Sequence, residues 1–336
     1  MNARIFACSG LVFFMILNFC VPASTFPQIT WKNVQYWGYQ LQDVNLENLA
    51  ISPFDLYVID YSSDGSNDTA WTASEMVAVK NKNKLLLSYI SIGEAEDYRY
   101  YWDDSWESAP PEWLDSENPD WEGNYKVKFW MDEWQDIVYS YLDIILAQGF
   151  NGVYLDIIDA YEYYQDKGIA NADGLMMDFV RNISIYTRAR AGQDFGIFPQ
   201  NGDELLKNAT YRSFITGIGI EDLYFFDDGE ENNPVEVTRR ETNLDLLIAD
   251  GGLVLTVDYV QTSENRNQVY ALARSKGYVP YCTTRDLNAL PYPLLIGETF
   301  TDNNDLDGTF YSTTGVLVGL TVSVIVTVIR RSRKRS

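Results

Sequence analysis

Eight short apolar runs, each followed by a stretch with helical periodicity, constrain this chain more than any other feature. They are VQYWGYQL, FDLYVIDY, KLLLSYISIG, GVYLDIID, DFGIFPQN, ITGIGIED, GLVLTVDY and YVPYCTTR. Most are continuous, as strands are when both faces of a parallel sheet are covered. The spacers carry helix signals. Trp130, Trp134, Ile137, Val138, Tyr141, Leu142 and Ile145 recur three or four apart, and Gly149 stops them. Asn233-Pro234 opens a helix as cap and first residue, and another runs from a Ser263 cap to Gly277. Eight such units predict an α/β fold, a (β/α)8 TIM barrel over residues 27–297. A doubly wound open sheet is the alternative. Its nucleotide-binding form is disfavoured because no G-x-G-x-x-G follows the first run.

Catalytic groups of such barrels sit at the C-terminal ends of the strands. There the chain carries Asp60 and Tyr61 after the second run, Glu94 after the third and Asp156 after the fourth. Asn201 follows the fifth, Glu221 the sixth, and Asp258 with Tyr259 the seventh. Asp156 and Glu221 each close a run that reads as a buried parallel strand, and two facing carboxylates can cleave a glycosidic bond. One must be ionised and the other protonated. Aspartate is the more acidic type, so Asp156 is expected as nucleophile or base and Glu221 as acid. Asp60, Tyr61, Glu94, Asn201, Asp258 and Tyr259 are expected to bind substrate. Each of these residues also has a plainer reading, as a helix cap, an ion-pair partner or a rim hydrogen-bonding group.

One connection is unusually long. From Ala95 to Lys128 the chain reads as an irregular, acid-rich loop after the third strand, with Trp102, Trp106, Trp113 and Trp121. Trp102 is expected to stack on a sugar face, since indole and pyranose offer matching apolar surfaces. The alternative is a satellite core over the barrel rim.

The charge balance excludes some partners. The chain has 25 basic and 48 acidic residues. Setting aside Arg4 and the five basic residues of the C-terminal tail leaves 19 against 48, about −29. Such a surface does not suit nucleic acid and would attract a cationic ligand. Histidine is absent, which removes histidine-activated serine or cysteine nucleophiles and histidine zinc sites. No metal and no cofactor is expected. Asn67, Asn182 and Asn208 begin N-x-S/T sequons.

Both ends read as targeting segments. Residues 1–23 resemble a signal peptide, with Arg4, the apolar LVFFMILNF and a Val21-Pro22-Ala23 cleavage site. After that cleavage Cys282 alone remains, so no intrachain disulfide can form. After a linker at 298–312, residues 313–329 form an uncharged stretch ending at RRSRKRS (330–336). Counted from Tyr311 it reaches about 28 Å as a helix, barely enough for a membrane core of ~30 Å. The basic tail should stay inside. The expectation is a cell-surface, single-pass protein with its barrel outside, or one released or re-anchored after that segment is cut as a sorting signal.

The strings VIDYSSDG, LLLSYISIGEAEDYRYYW, GFNGVYLDIID and FPQNGDELL resemble glycoside hydrolase family 114 from about Trp37 to Leu290. The resemblance implies a TIM barrel with endo-α-1,4-polygalactosaminidase-like activity. Its expected catalytic acids, after strands four and six, fall on Asp156 and Glu221. The implied partner is a polysaccharide, with a cationic amino-sugar polymer suited to the acidic surface. A catalytically silent carbohydrate-binding protein is the alternative.

Overall fold

The computed structural model describes residues 28–226, 229–291, 293 and 295–298. The expected signal peptide (1–23), membrane segment (313–329) and basic tail (330–336) lie outside the described residues. Among the described residues no helix is long and apolar enough to cross a membrane.

In chain order the strands are β1 (Trp37–Tyr39), β2 (Leu56–Ile59), β3 (Leu85–Ser91), β4 (Glu94–Glu96), β5 (Leu114–Glu117), β6 (Asn124–Val127) and β7 (Gly152–Asp156). They continue with β8 (Gly196–Pro199), β9 (Gly217–Glu221), β10 (Phe225–Phe226), β11 (Glu230–Glu231), β12 (Leu253–Asp258) and β13 (Val279–Cys282). The helices are α1 (Leu46–Ile51), α2 (Ala73–Lys80), α3 (Asp132–Gln148), α4 (Ala160–Asp166), α5 (Ala172–Ala191), α6 (Ala209–Arg212), α7 (Pro234–Ala249) and α8 (Ser263–Ser275).

All eight apolar runs become strands, and they pair in parallel. One ladder runs β1-β2-β3-β7-β8 and another runs β13-β12-β9. The two join where Gln200 bridges Gly219 and the Asn201 N–H donates to the Gly219 carbonyl at 2.8 Å. On the other side β13 lies beside β1, and the Trp37 indole N–H reaches the Val279 carbonyl at 2.9 Å. The result is a TIM-barrel-like wheel of strands with helices outside. Strand β3 is buried along all seven residues, as a strand covered on both faces must be.

The helices form where the spacing predicts them. Helix α3 buries Trp134, Val138, Tyr141, Leu142 and Ile145 and carries Asp132 and Glu133 in its first turn, where acids oppose the helix dipole. Gly149, at φ 83°, ends it in the left-handed region. Asn233 caps α7 by accepting the Val235 N–H, with Pro234 in the first turn. Helix α8 is capped by Thr262, one residue before the expected Ser263.

The long connection after β3 corrects the sequence reading. It is a three-stranded antiparallel sheet, ordered β4-β6-β5. Its strands LDSE and NYKV are polar and half exposed, so no apolar run announces them. Trp102, Trp106, Trp113 and Trp134 pack edge to face or tilted, with ring centroids 5.0–5.2 Å apart along the chain. The Trp134 indole N–H donates to the Ile92 carbonyl at 2.9 Å and ties this cluster to the end of β3.

Candidate active site

Strand alternation decides which strand-end residues reach the barrel interior. On β3 and β7, Tyr89 pairs with Tyr154 and Ser91 with Asp156, so these side chains share one face. On β9 and β12, Gly219 pairs with Leu255 and Glu221 with Val257. Tyr259 lies two residues beyond Val257 and turns inward, where its O–H is hydrogen-bonded to Glu221 Oε1.

Asp156 and Glu221 occupy the ends of β7 and β9. Asp156 is 9% exposed. It accepts the Tyr89 O–H on Oδ2 at 2.7 Å and the Ile157 N–H on Oδ1 at 2.8 Å. Burial, and next the charge of Glu221, push its carboxyl well above the ordinary range, while those two donors pull it back down. Aspartate is the more acidic residue type, but here burial outweighs type. Glu221 is half-buried. Asn201 holds it in a two-point clasp: its Oδ1 accepts the Glu221 backbone N–H at 3.1 Å and its Nδ2 donates to Glu221 Oε2 at 3.2 Å. Arg240 donates to the backbone carbonyls of Glu221 and Asp222 at 3.0 and 2.8 Å.

The backbone is bent at each of these points. Ile157, Asn201 and Asp222, the residues just after the inward-facing Asp156, Gln200 and Glu221, have φ of 57°, 61° and 48°. A β-branched residue such as Ile157 is seldom found there. Non-glycine residues in this region concentrate at functional sites. Beneath the acids lies a floor of aromatic rings. Tyr39 and Tyr154 have centroids 5.3 Å apart, and a Cβ on Gly219 would lie 1.9 Å from the Tyr154 phenol oxygen. Glycine is required there so that the phenol can reach the backbone of β9.

The other expected site residues divide. Tyr259 and Asn201 touch Glu221 and belong to the site. Asp60 lies at the mouth but spends its charge on Arg99, at 2.6 Å. Arg99 also pairs with Glu96 at 2.7 Å, and all three are buried. Glu94 is likewise buried, with Lys126 at 3.2 Å and the Asn118 amide at 2.9 Å. Tyr61 turns outward onto the Tyr141 ring of α3, 4.7 Å away, and its O–H donates to the Gly65 carbonyl. Asp258 also faces the helical layer, fully buried, accepting the Tyr224 and Phe225 N–H groups at 2.8 and 2.9 Å. Trp102 packs on Trp106 and on Tyr125, 4.8 Å away, in the satellite core. Tyr61, Asp258 and Trp102 are therefore held by the scaffold. Tyr89 and Arg240 were missed by the sequence reading. Tyr89 could have been found, because it lies two residues before Ser91 on the inward face.

An open cleft of about 290 Å3 borders Glu221, and seven acidic side chains and two arginines line it. Among the described residues no cluster of three or more potential metal-ligating side chains is present. The arrangement offers two carboxylates, phenol donors and a negative field.

Comparison with known proteins agrees with the barrel-like fold. The pattern of Glycoside-hydrolase family GH114 matches residues 22–297. An uncharacterized protein of Methanocaldococcus jannaschii is 43% identical over 262 residues, 74% of this chain and 75% of the relative. The glycoside hydrolase domain of PelA from Pseudomonas aeruginosa superposes with a TM-score of 0.61 at 19% identity, covering 76% of this chain and 97% of that one. Aspergillus fumigatus Ega3, solved in complex with galactosamine, gives a TM-score of 0.60 at 15% identity, with 80% and 99% covered.

Proposed function

The chain belongs to glycoside-hydrolase family GH114, and from that premise we propose that it hydrolyses an α-linked galactosamine-containing polysaccharide through Asp156 and Glu221. The observation that carries this reading is the pair itself. Two inward carboxylates end β7 and β9, each gripped by neutral donors. Glu221 gives its proton to the glycosidic oxygen as the C–O bond breaks. Asp156 attacks the anomeric carbon, or takes a proton from the water that does. Burial opposes the Asp156 anion; what favours it is the pair of donors, together with protonation of Glu221, whose charge then no longer opposes it. If Asp156 has attacked, a water then displaces it from the anomeric carbon and gives its proton to Glu221; if water attacked directly, Asp156 returns the proton it took to solvent and Glu221 regains one from solvent.

The substrate class rests on charge. A cleft with seven acids and two arginines attracts ammonium groups and disfavours anionic polymers. The Ega3 complex with galactosamine supports the same choice by analogy. The exposed Phe226 ring, on the cleft wall, offers a sugar a flat apolar face. Product release should be measured on α-1,4-linked galactosamine polymer and on its fully N-acetylated counterpart, with Asp156→Asn and Glu221→Gln alongside. Cleavage of the cationic polymer by the parent and by neither variant is expected. Binding without cleavage by the parent would make this a carbohydrate-binding protein. The segments at 1–23 and 313–329 suit an enzyme exported and held at the cell surface, and a chain ending at Asp307 should then be released as soluble, active protein. Retention of that shorter chain on the membrane would overturn the anchor.

A further inference from the structure

The motif SYISIGEAEDYR supplies one of the two donors on Asp156. Tyr89, at its start, is 8% exposed and sends its phenol O–H to Asp156 Oδ2 at 2.7 Å, across 67 residues of chain. Arg99, at its end, lies behind the same ring with its guanidinium carbon 5.9 Å from the centroid. Arg99 cannot drift, because Asp60 and Glu96 hold it from two sides. The ring is thus backed by a buried, fixed cation on one side and points its hydroxyl at a carboxylate on the other.

We infer that Tyr89 is a positioning residue for the hydrolytic reaction: braced by Arg99, it aims Asp156 and keeps it ionised during turnover. The inference rests on the assignment of Asp156 and Glu221 made above. Five titratable groups face Asp156. Glu221 comes from β9, Tyr39 from β1, Tyr89 from β3, Tyr154 from β7 itself and Asp159 from the turn that follows. Burial raises all three phenols well above their ordinary range, so they stay neutral and create no pH limb of their own. Glu221 and Asp159 oppose ionisation of Asp156, whereas Tyr89 and the Ile157 N–H favour it. Ile157 donates through the backbone and is fixed by the fold. Tyr89 is the donor whose loss a substitution can measure.

Tyr89→Phe removes the hydroxyl and keeps the ring. Losing a hydrogen bond to a charged group should move the acid limb of the kcat/KM profile to higher pH by about one unit. The sign follows because the limb reports ionisation of Asp156, which the donor favours. Infrared titration of the Asp156 carboxyl, identified by its loss in Asp156→Asn, should move the same way without substrate. Replacing Tyr89 with 3,5-difluorotyrosine, a stronger donor, should move both readouts to lower pH. Reduced turnover with both titrations unmoved would assign Tyr89 to packing alone and overturn the inference. If Asp156→Asn instead keeps near-normal turnover, the carboxylate assignment fails, while the infrared titration still tests the bond. Should Tyr89→Phe not fold, the fluorinated chain alone decides the sign.

Discussion

Two sets of acids share the mouth of this barrel, and they are held differently. Around β2 and the antiparallel insertion, Asp60, Glu96 and Glu94 receive cations, Arg99 and Lys126. At the ends of β7 and β9, Asp156 and Glu221 receive phenols, an amide and a backbone N–H. The first set is compensated and serves as scaffold. In the proposed reaction the second supplies an anion for a developing cation and a proton for the leaving group. All five acids stand at or near the ends of barrel strands, so position alone does not separate chemistry from architecture. The partner does.

That comparison can be broken most sharply by rate. Glu221→Gln or Asp156→Asn should lower turnover at least about a hundredfold with polymer binding largely kept, since general acid–base help alone is worth ~10²–10⁴-fold. Near-normal turnover in either variant would mean that neutral donors do not mark the reacting acids. On the compensated side, Arg99→Met should cost about 3–5 kcal/mol in chemical denaturation, because it leaves Asp60 and Glu96 buried without their cation. A loss no greater than that of a surface substitution would show that these acids do not need it.

The last effect concerns Asp258, which has no ion pair among the described residues and does not line the cleft. Burial pushes its carboxyl up to about 7, against backbone N–H bonds from Phe225 and Tyr224 that lower it. A raised acid stabilises the fold fully below its unfolded value of ~3.9, and that contribution is lost as pH rises through the folded value. The melting temperature should therefore fall between about pH 4 and pH 7 in the parent, and this component of the fall should be missing in Asp258→Asn. Parallel curves for the two proteins would place the titration elsewhere.

Much of the barrel was legible because most of its buried parallel strands are continuous apolar runs, and all eight runs became strands. Asp156, Glu221, Asn201 and Tyr259 were visible as strand-end polar groups. What the runs did not reveal was the face on which each one ends. Asp258 and Tyr259 are neighbours, yet one points to the helices and the other to Glu221, and the pair Asp60 and Tyr61 shows the same ambiguity. A single-residue shift in where alternation is counted reverses each assignment. The insertion was hidden for another reason. Two of its strands are short, polar and half exposed, the third is the three-residue buried strand Glu94–Glu96, and they cohere through tryptophans brought together from the loops between them. Tyr89 and Asp156 meet through a register between strands 67 residues apart in sequence, which no local pattern encodes.

Gly219 and Tyr154 make inheritance of this mouth a matter of two positions at once. Any side chain at Gly219 collides with the Tyr154 phenol, whose oxygen would lie 1.9 Å from the added carbon. Conversely, shrinking Tyr154 leaves a hollow under Glu221 that glycine cannot fill. Single-step mutational routes out of this arrangement thus pass through a clash or a void. The two residues are free to change only together, and the placement of Glu221 two residues beyond Gly219 travels with them.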